Sequence, residues 1–126
     1  MTLSQRNKTQ PAVVLIPGHW LGAWAWDQVR DHLTAAGMRV IAMTLPGLDP
    51  HDPDRVSRTL EDQADAIRTV IDAEDRNVVL VAHSGANFPA SLILDQCPER
   101  VDRVIWVDSG PVATRSVFAP DLPETV

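Results

Sequence analysis

The sequence predicts an α/β fold, a three-layer sandwich in which helices cover both faces of a parallel sheet. Three observations carry this expectation. Four short apolar runs, "AVVLI" (12–16), "RVIAM" (39–43), "NVVLV" (77–81) and "RVIWV" (103–107), are rich in β-branched residues and bounded by Pro, Gly or Asp. They are near-continuous rather than alternating, as strands covered on both faces are. Between them, apolar residues recur at three- and four-residue steps, the period of a helix with one buried face. The resulting order, β-α-β-α-β-α-β, implies right-handed crossovers within one sheet.

After the first strand, Trp26, Val29, Leu33 and Ala36 form a helical stripe, and Gly37 follows as a C-terminal stop. The second helix carries Leu60, Ala64, Ile67 and Ile71 on one side. Thr59, with Asp62 three residues on, predicts its N-cap and an acidic first turn. The third helix is expected to start at Gly85 or Ala86 and to run to about Gln96, before Pro98. The fourth run, "RVIWV", is apolar on both faces as a central strand would be, yet the sequence ends eighteen residues past Asp108. An exposed apolar edge invites pairing with other chains. Three expectations follow: residues 109–126 cover the Arg103–Val107 edge, another polypeptide covers it, or the chain is a piece of something longer.

Composition narrows the classes. A chain of 126 residues suits one domain, and 44% hydrophobic with 22% charged residues is an ordinary balance for a packed core. The net charge of −6 gives no basic footprint for nucleic acid. Cys97 is the single cysteine, so an internal disulfide is impossible and a reducing cytoplasm suits the chain. No apolar run reaches the roughly 18 residues of a membrane span, and the start, "MTLSQRNKTQP", lacks the apolar core of a signal peptide. Residues 1–10 read as a polar leader and 11–112 as the core. Residues 113–126 read as a tail, the start of a cap or linker.

Ligands of such sheets bind beyond the carboxyl ends of the strands. The loops expected there are "PGHWLGAW", "HSGAN" and "DSGPV". Ser84 stands at a strand-to-helix junction with Ala82 and Ala86 two residues to either side. A tight bend at that junction lifts the hydroxyl into the crevice, and only small residues at those flanks permit the approach. The helix that follows aims its N-terminal amides at the same point. The N–H of Gly85 is then one donor for an oxyanion, and the backbone N–H of His19, in "PGHW", is the expected second. The dull readings are that Ser84 caps a helix and that Gly18 and Gly22 only shape a turn.

With these residues in place, the chain resembles the α/β-hydrolase superfamily. The matching stretches are "VVLIPGHWLGAWAWDQV" (13–29), "VIAMTLPG" (40–47), "VVLVAHSGAN" (78–87) and "RVIWVDSGP" (103–111). Gly18, Trp20, Gly22 and Trp24 look most like the branch of small-molecule esterases and hydroxynitrile lyases. The resemblance implies the N-terminal half of such a core, with strands three to six of the family's eight. The family's Gly-x-Ser-x-Gly appears here as Ala82-His83-Ser84-Gly85-Ala86, a small-for-small exchange. Its His-Gly appears as Pro17-Gly18.

The resemblance implies an esterase-like serine hydrolase with Ser84 as nucleophile at a nucleophile elbow. It implies an oxyanion hole from His19 and Gly85, and substrate contacts at Gly18 and Trp20. Asp108 falls where some members place the triad acid, and the competing reading is a cap on the turn "DSGP". The general base of the family follows the eighth strand, outside these 126 residues. His83 is expected to turn its ring away from Ser84, and His32 and His51 to be solvated. No pair has metal-ligand spacing, so neither metal nor other cofactor is implied.

Three functions stay open. The first is hydrolysis of a small-molecule ester through an acyl-enzyme, incomplete or inactive in this chain alone. The others are a non-catalytic ligand-binding relative and a hydroxynitrile lyase-like enzyme. A phosphate site at "PGHWLG" is disfavoured, because the loop has neither G-x-G-x-x-G nor a Walker lysine. Expected partners are a small-molecule ester and a chain on the Arg103–Val107 edge, with no nucleic acid and no membrane.

Overall fold

A computed structural model describes residues 10–112 of the chain. The expected leader, apart from Gln10, and the expected tail 113–126 lie outside the described residues. The described part forms one four-stranded, all-parallel sheet in the order β2-β1-β3-β4, with β1 at Ala12–Ile16, β2 at Val40–Ala42, β3 at Val78–His83 and β4 at Val101–Val107. Three helices connect them: α1 (Asp27–Ala35), α2 (Leu60–Asp72) and α3 (Asn87–Gln96). The expected element order and parallel sheet are both present.

The main core lies on one face. Val14 and Ile16 of β1 and Val78, Leu80 and Ala82 of β3 point at Ala64, Ile67 and Ile71 of α2 and Ala90 and Ile93 of α3, all essentially inaccessible to water. Period two in the strands meets period 3.6 in the helices, which is what buries both stripes together. The capping box at α2 is formed: the Asp62 N–H donates to Thr59 Oγ1 at 3.1 Å, and the Thr59 N–H donates to Asp62 Oδ2 at 2.9 Å. At the other end of α2, Arg100 Nη2 donates to the carbonyls of Ile71, Glu74 and Arg76, which ties the start of β4 to that helix.

The other face departs from the sequence expectation. The stripe Trp26, Val29, Leu33, Ala36 does not become a buried face: α1 has no buried residue, and Val29 is 40% exposed. Among the described residues only α1 lies on that face. An apolar hollow of about 330 Å³ is left open between Leu33 and Met38 on one side and Val13, Val79, Val81 and Ile105 on the other. Gly37 does end α1, at φ +87°, a conformation glycine adopts without strain. Among the described residues β4 is the outermost strand on its side of the sheet, with Ile105 45% exposed.

Candidate active site

Register sets the site. In the sheet, Ile16 pairs with Ala82 and His83 with Val107, so the residues after β1, β3 and β4 leave the sheet side by side. Pro17–Trp20, Ser84–Gly85 and Asp108 therefore gather at one edge, the carboxyl ends of the strands. The three loops expected to face one crevice start from the same edge of the sheet.

Three residues other than glycine have positive φ among the described residues: Trp20 (69°), Ser84 (52°) and Asp108 (57°). All three sit at this edge. A left-handed backbone costs a residue with a Cβ roughly 1–2 kcal/mol, and such strain concentrates at functional sites. The flanks of Ser84 explain how it is held: Ala82 and Ala86 are buried to 1% exposure or less, while Ser84 itself is exposed. Ser84–Ala86 form a single tight turn that runs directly into α3. The N-terminal turn of α3 thus lies just beyond the hydroxyl. Pro89 fits in that first turn, where a missing N–H costs little.

The glycine of the first loop has a specific reason. A Cβ at Gly18 would lie 2.8 Å from His83 Nδ1 and 3.1 Å from the His83 carbonyl oxygen, closer than real side chains pack. The loop can therefore approach the elbow only without a side chain there. His83 packs its ring on Trp26, edge to face at 6.5 Å between centroids, with Nδ1 on the side of Gly18. His32 and His51 are exposed, on α1 and in the loop before α2.

Trp20 is 90% exposed and Trp24 65%, so neither lines a closed pocket, whereas Trp26 is half-buried with its Nε1 inaccessible and unpartnered among the described residues. Asp108 is exposed at the end of β4. The side chains of Asp49 and Asp52 each accept from the amide two residues on, in the loop before α2.

Several residues that place these loops were not singled out from the sequence. Thr44 Oγ1 accepts the Ala23 N–H at 2.9 Å and so anchors the loop after β1. Asn87 Nδ2 donates to the Gly110 carbonyl at 2.9 Å, and the Val112 N–H donates to Ser91 Oγ at 2.9 Å. These two bonds fasten the segment after Asp108 to α3. A polar residue in the first turn of a helix is the only sequence signal for Asn87, and it is too common to be read.

The model of the Alpha/beta hydrolase family matches residues 13–125. The chain is 35% identical over 100 residues to methylesterase 9 of Arabidopsis thaliana, covering 76% of this chain and 39% of the relative. It is 32% identical over 121 residues to methylesterase 7 of the same plant, covering 92% of this chain and 43% of the relative. A solved variant of polyneuridine aldehyde esterase, an enzyme of Rauvolfia serpentina, superposes with a TM-score of 0.72 at 26% identity, covering 91% of this chain and 47% of that one. The chain spans less than half the length of these curated relatives.

Proposed function

Since the chain belongs to the alpha/beta hydrolase family, in its esterase branch, we propose that it carries the nucleophile and oxyanion-binding part of a serine hydrolase acting on a small carboxylic ester. The observation that carries this is Ser84, exposed and held at positive φ between two buried alanines at the carboxyl end of β3. In the proposed step, Ser84 Oγ adds to the ester carbonyl carbon and the carbonyl electron pair moves onto oxygen. The oxyanion is met by the backbone N–H groups of Gly85 and His19. As the pair returns, the C–O bond to the alcohol breaks, and the alcohol departs with the proton lost by Ser84. Water then cleaves the acyl–Oγ bond in the same way and releases the acid.

Asp108, at the adjacent strand end, is the proposed triad acid that would orient an imidazolium. None of the four histidines is assigned as the base; in the resemblance that group follows the eighth strand. Gly18 is the proposed close-approach point for substrate and Trp20 an apolar wall beside it. The names of the relatives, methylesterase and esterase, favour the methyl ester of a small organic acid as substrate.

A serine without its base reacts slowly, while the amides and binding still supply a residual 10³–10⁴-fold over water, roughly. Incubation with a fluorophosphonate tests the proposal. Oγ–P bond formation expels fluoride, the proton passes to solvent, and the adduct is read by intact mass and peptide mapping. Slow, stoichiometric labelling confined to Ser84 and lost in Ser84→Ala is the expected result. Labelling spread over other hydroxyls, or none within a day, would overturn the reading.

A further inference from the structure

The His19 side chain lies where its backbone role alone does not require it. A Cβ at Gly85 would collide with the His19 imidazole, at Nε2, Cδ2 and Cε1. The imidazole therefore rests on the α-carbon of Gly85, in the space that any other residue following Ser84 would fill with its own side chain. His19 and Ser84 are both open to solvent. A polar ring thus stands over the elbow, free to meet a molecule lodged there. The φ of Gly85 is not in the positive range, so backbone conformation does not call for glycine at 85. The ring does.

We infer that the His19 imidazole is a substrate-contacting residue of this site, its Nε2 hydrogen-bonding the carbonyl oxygen of an ester held at Ser84, with Gly85 left bare to admit it. The inference rests on the proposed function, since it places the ligand at Ser84. One physical point favours contact over simple packing. An apolar ring would cover Gly85 equally well, whereas imidazole offers a donor or acceptor on the atom nearest the elbow.

The test compares His19→Phe, which keeps a flat ring over Gly85, with His19→Gln, which keeps a hydrogen-bonding end. The rate of fluorophosphonate labelling at Ser84 is followed by intact mass, and thermal unfolding is followed in parallel. The inference expects His19→Phe to slow labelling about tenfold or more, less than the roughly 10²–10³ lost with a whole oxyanion-hole donor. His19→Gln, which keeps part of the hydrogen bond, slows labelling clearly less than His19→Phe, and both variants unfold at the parent's temperature. Equal labelling rates in the parent and His19→Phe would overturn the inference and leave the function of Ser84 standing. Equal slowing in both variants with a lowered unfolding temperature would also overturn it, by showing a packing role. No labelling of Ser84 in the parent would remove the proposed function and this inference together.

Discussion

At Ser84 the chain accepts a backbone conformation that its side chain disfavours. Glycine would occupy φ 52° without the Cβ clash, so the strain is kept for the hydroxyl. The variant Ser84→Gly is expected to be as stable as the parent or more so, by up to about 1 kcal/mol, while losing all fluorophosphonate labelling. Urea unfolding and intact mass on the same samples read both effects; a clear loss of stability would show that the hydroxyl holds the turn together. Ala82 and Ala86 were legible as small flanks, and their burial is what makes them necessary. The positive φ of Trp20 and Asp108 was not legible, because residues with a Cβ rarely adopt it and nothing in their neighbouring sequence marks these two as exceptions.

Among the elements, α2 shows how a local rule becomes a tertiary anchor. Thr59 and Asp62 satisfy each other's backbone donors, and the helix they start presents Ala64, Ile67 and Ile71 to the sheet. Thr59→Ala removes the acceptor for the Asp62 N–H and is expected to cost about 1 kcal/mol, read as a lowered urea midpoint with an unchanged slope. No change in midpoint would mean that packing alone fixes the start of α2. The cap, the stripe and the end of α1 at Gly37 were all readable, since each depends on neighbours within four residues. The exposure of the α1 stripe was not. A helical period says which side is apolar, and the number of elements on that sheet face decides whether it is buried.

For the whole molecule, the charge network sets a response to acid. Glu74, whose side chain is 6% exposed, receives both Arg39 Nε and Nη2, and that hydrogen-bonded guanidinium holds its carboxyl below the usual range. Asp52 is lowered in the same way by Arg58 and by the amide of Asp54. A carboxylate that binds its proton more weakly in the fold than in the unfolded chain stabilises the fold above the ordinary carboxylate range. That stability is lost as pH falls through the lowered values. Unfolding free energy should therefore be level from neutral pH to about 5 and decline below about 4. Arg39→Ala is expected to lower stability at pH 7 by about 1 kcal/mol and to shrink the acid-dependent part. A pH profile unchanged by that substitution would assign the decline to other groups. The two ion pairs join residues 35 and 6 positions apart, and only the second was within reach of a local reading.

The sequence by itself determined the strands, the helices, their parallel order and the small residues around Ser84, because each follows from periodicity or sterics within a few neighbours. Tertiary structure alone decided which residues the loops after β1, β3 and β4 bring to one edge, that Arg39 meets Glu74, and that the His19 ring seats itself on Gly85. Those outcomes depend on which distant segments arrive at the same place, and no pattern along the chain encodes the gap that an absent side chain leaves for another.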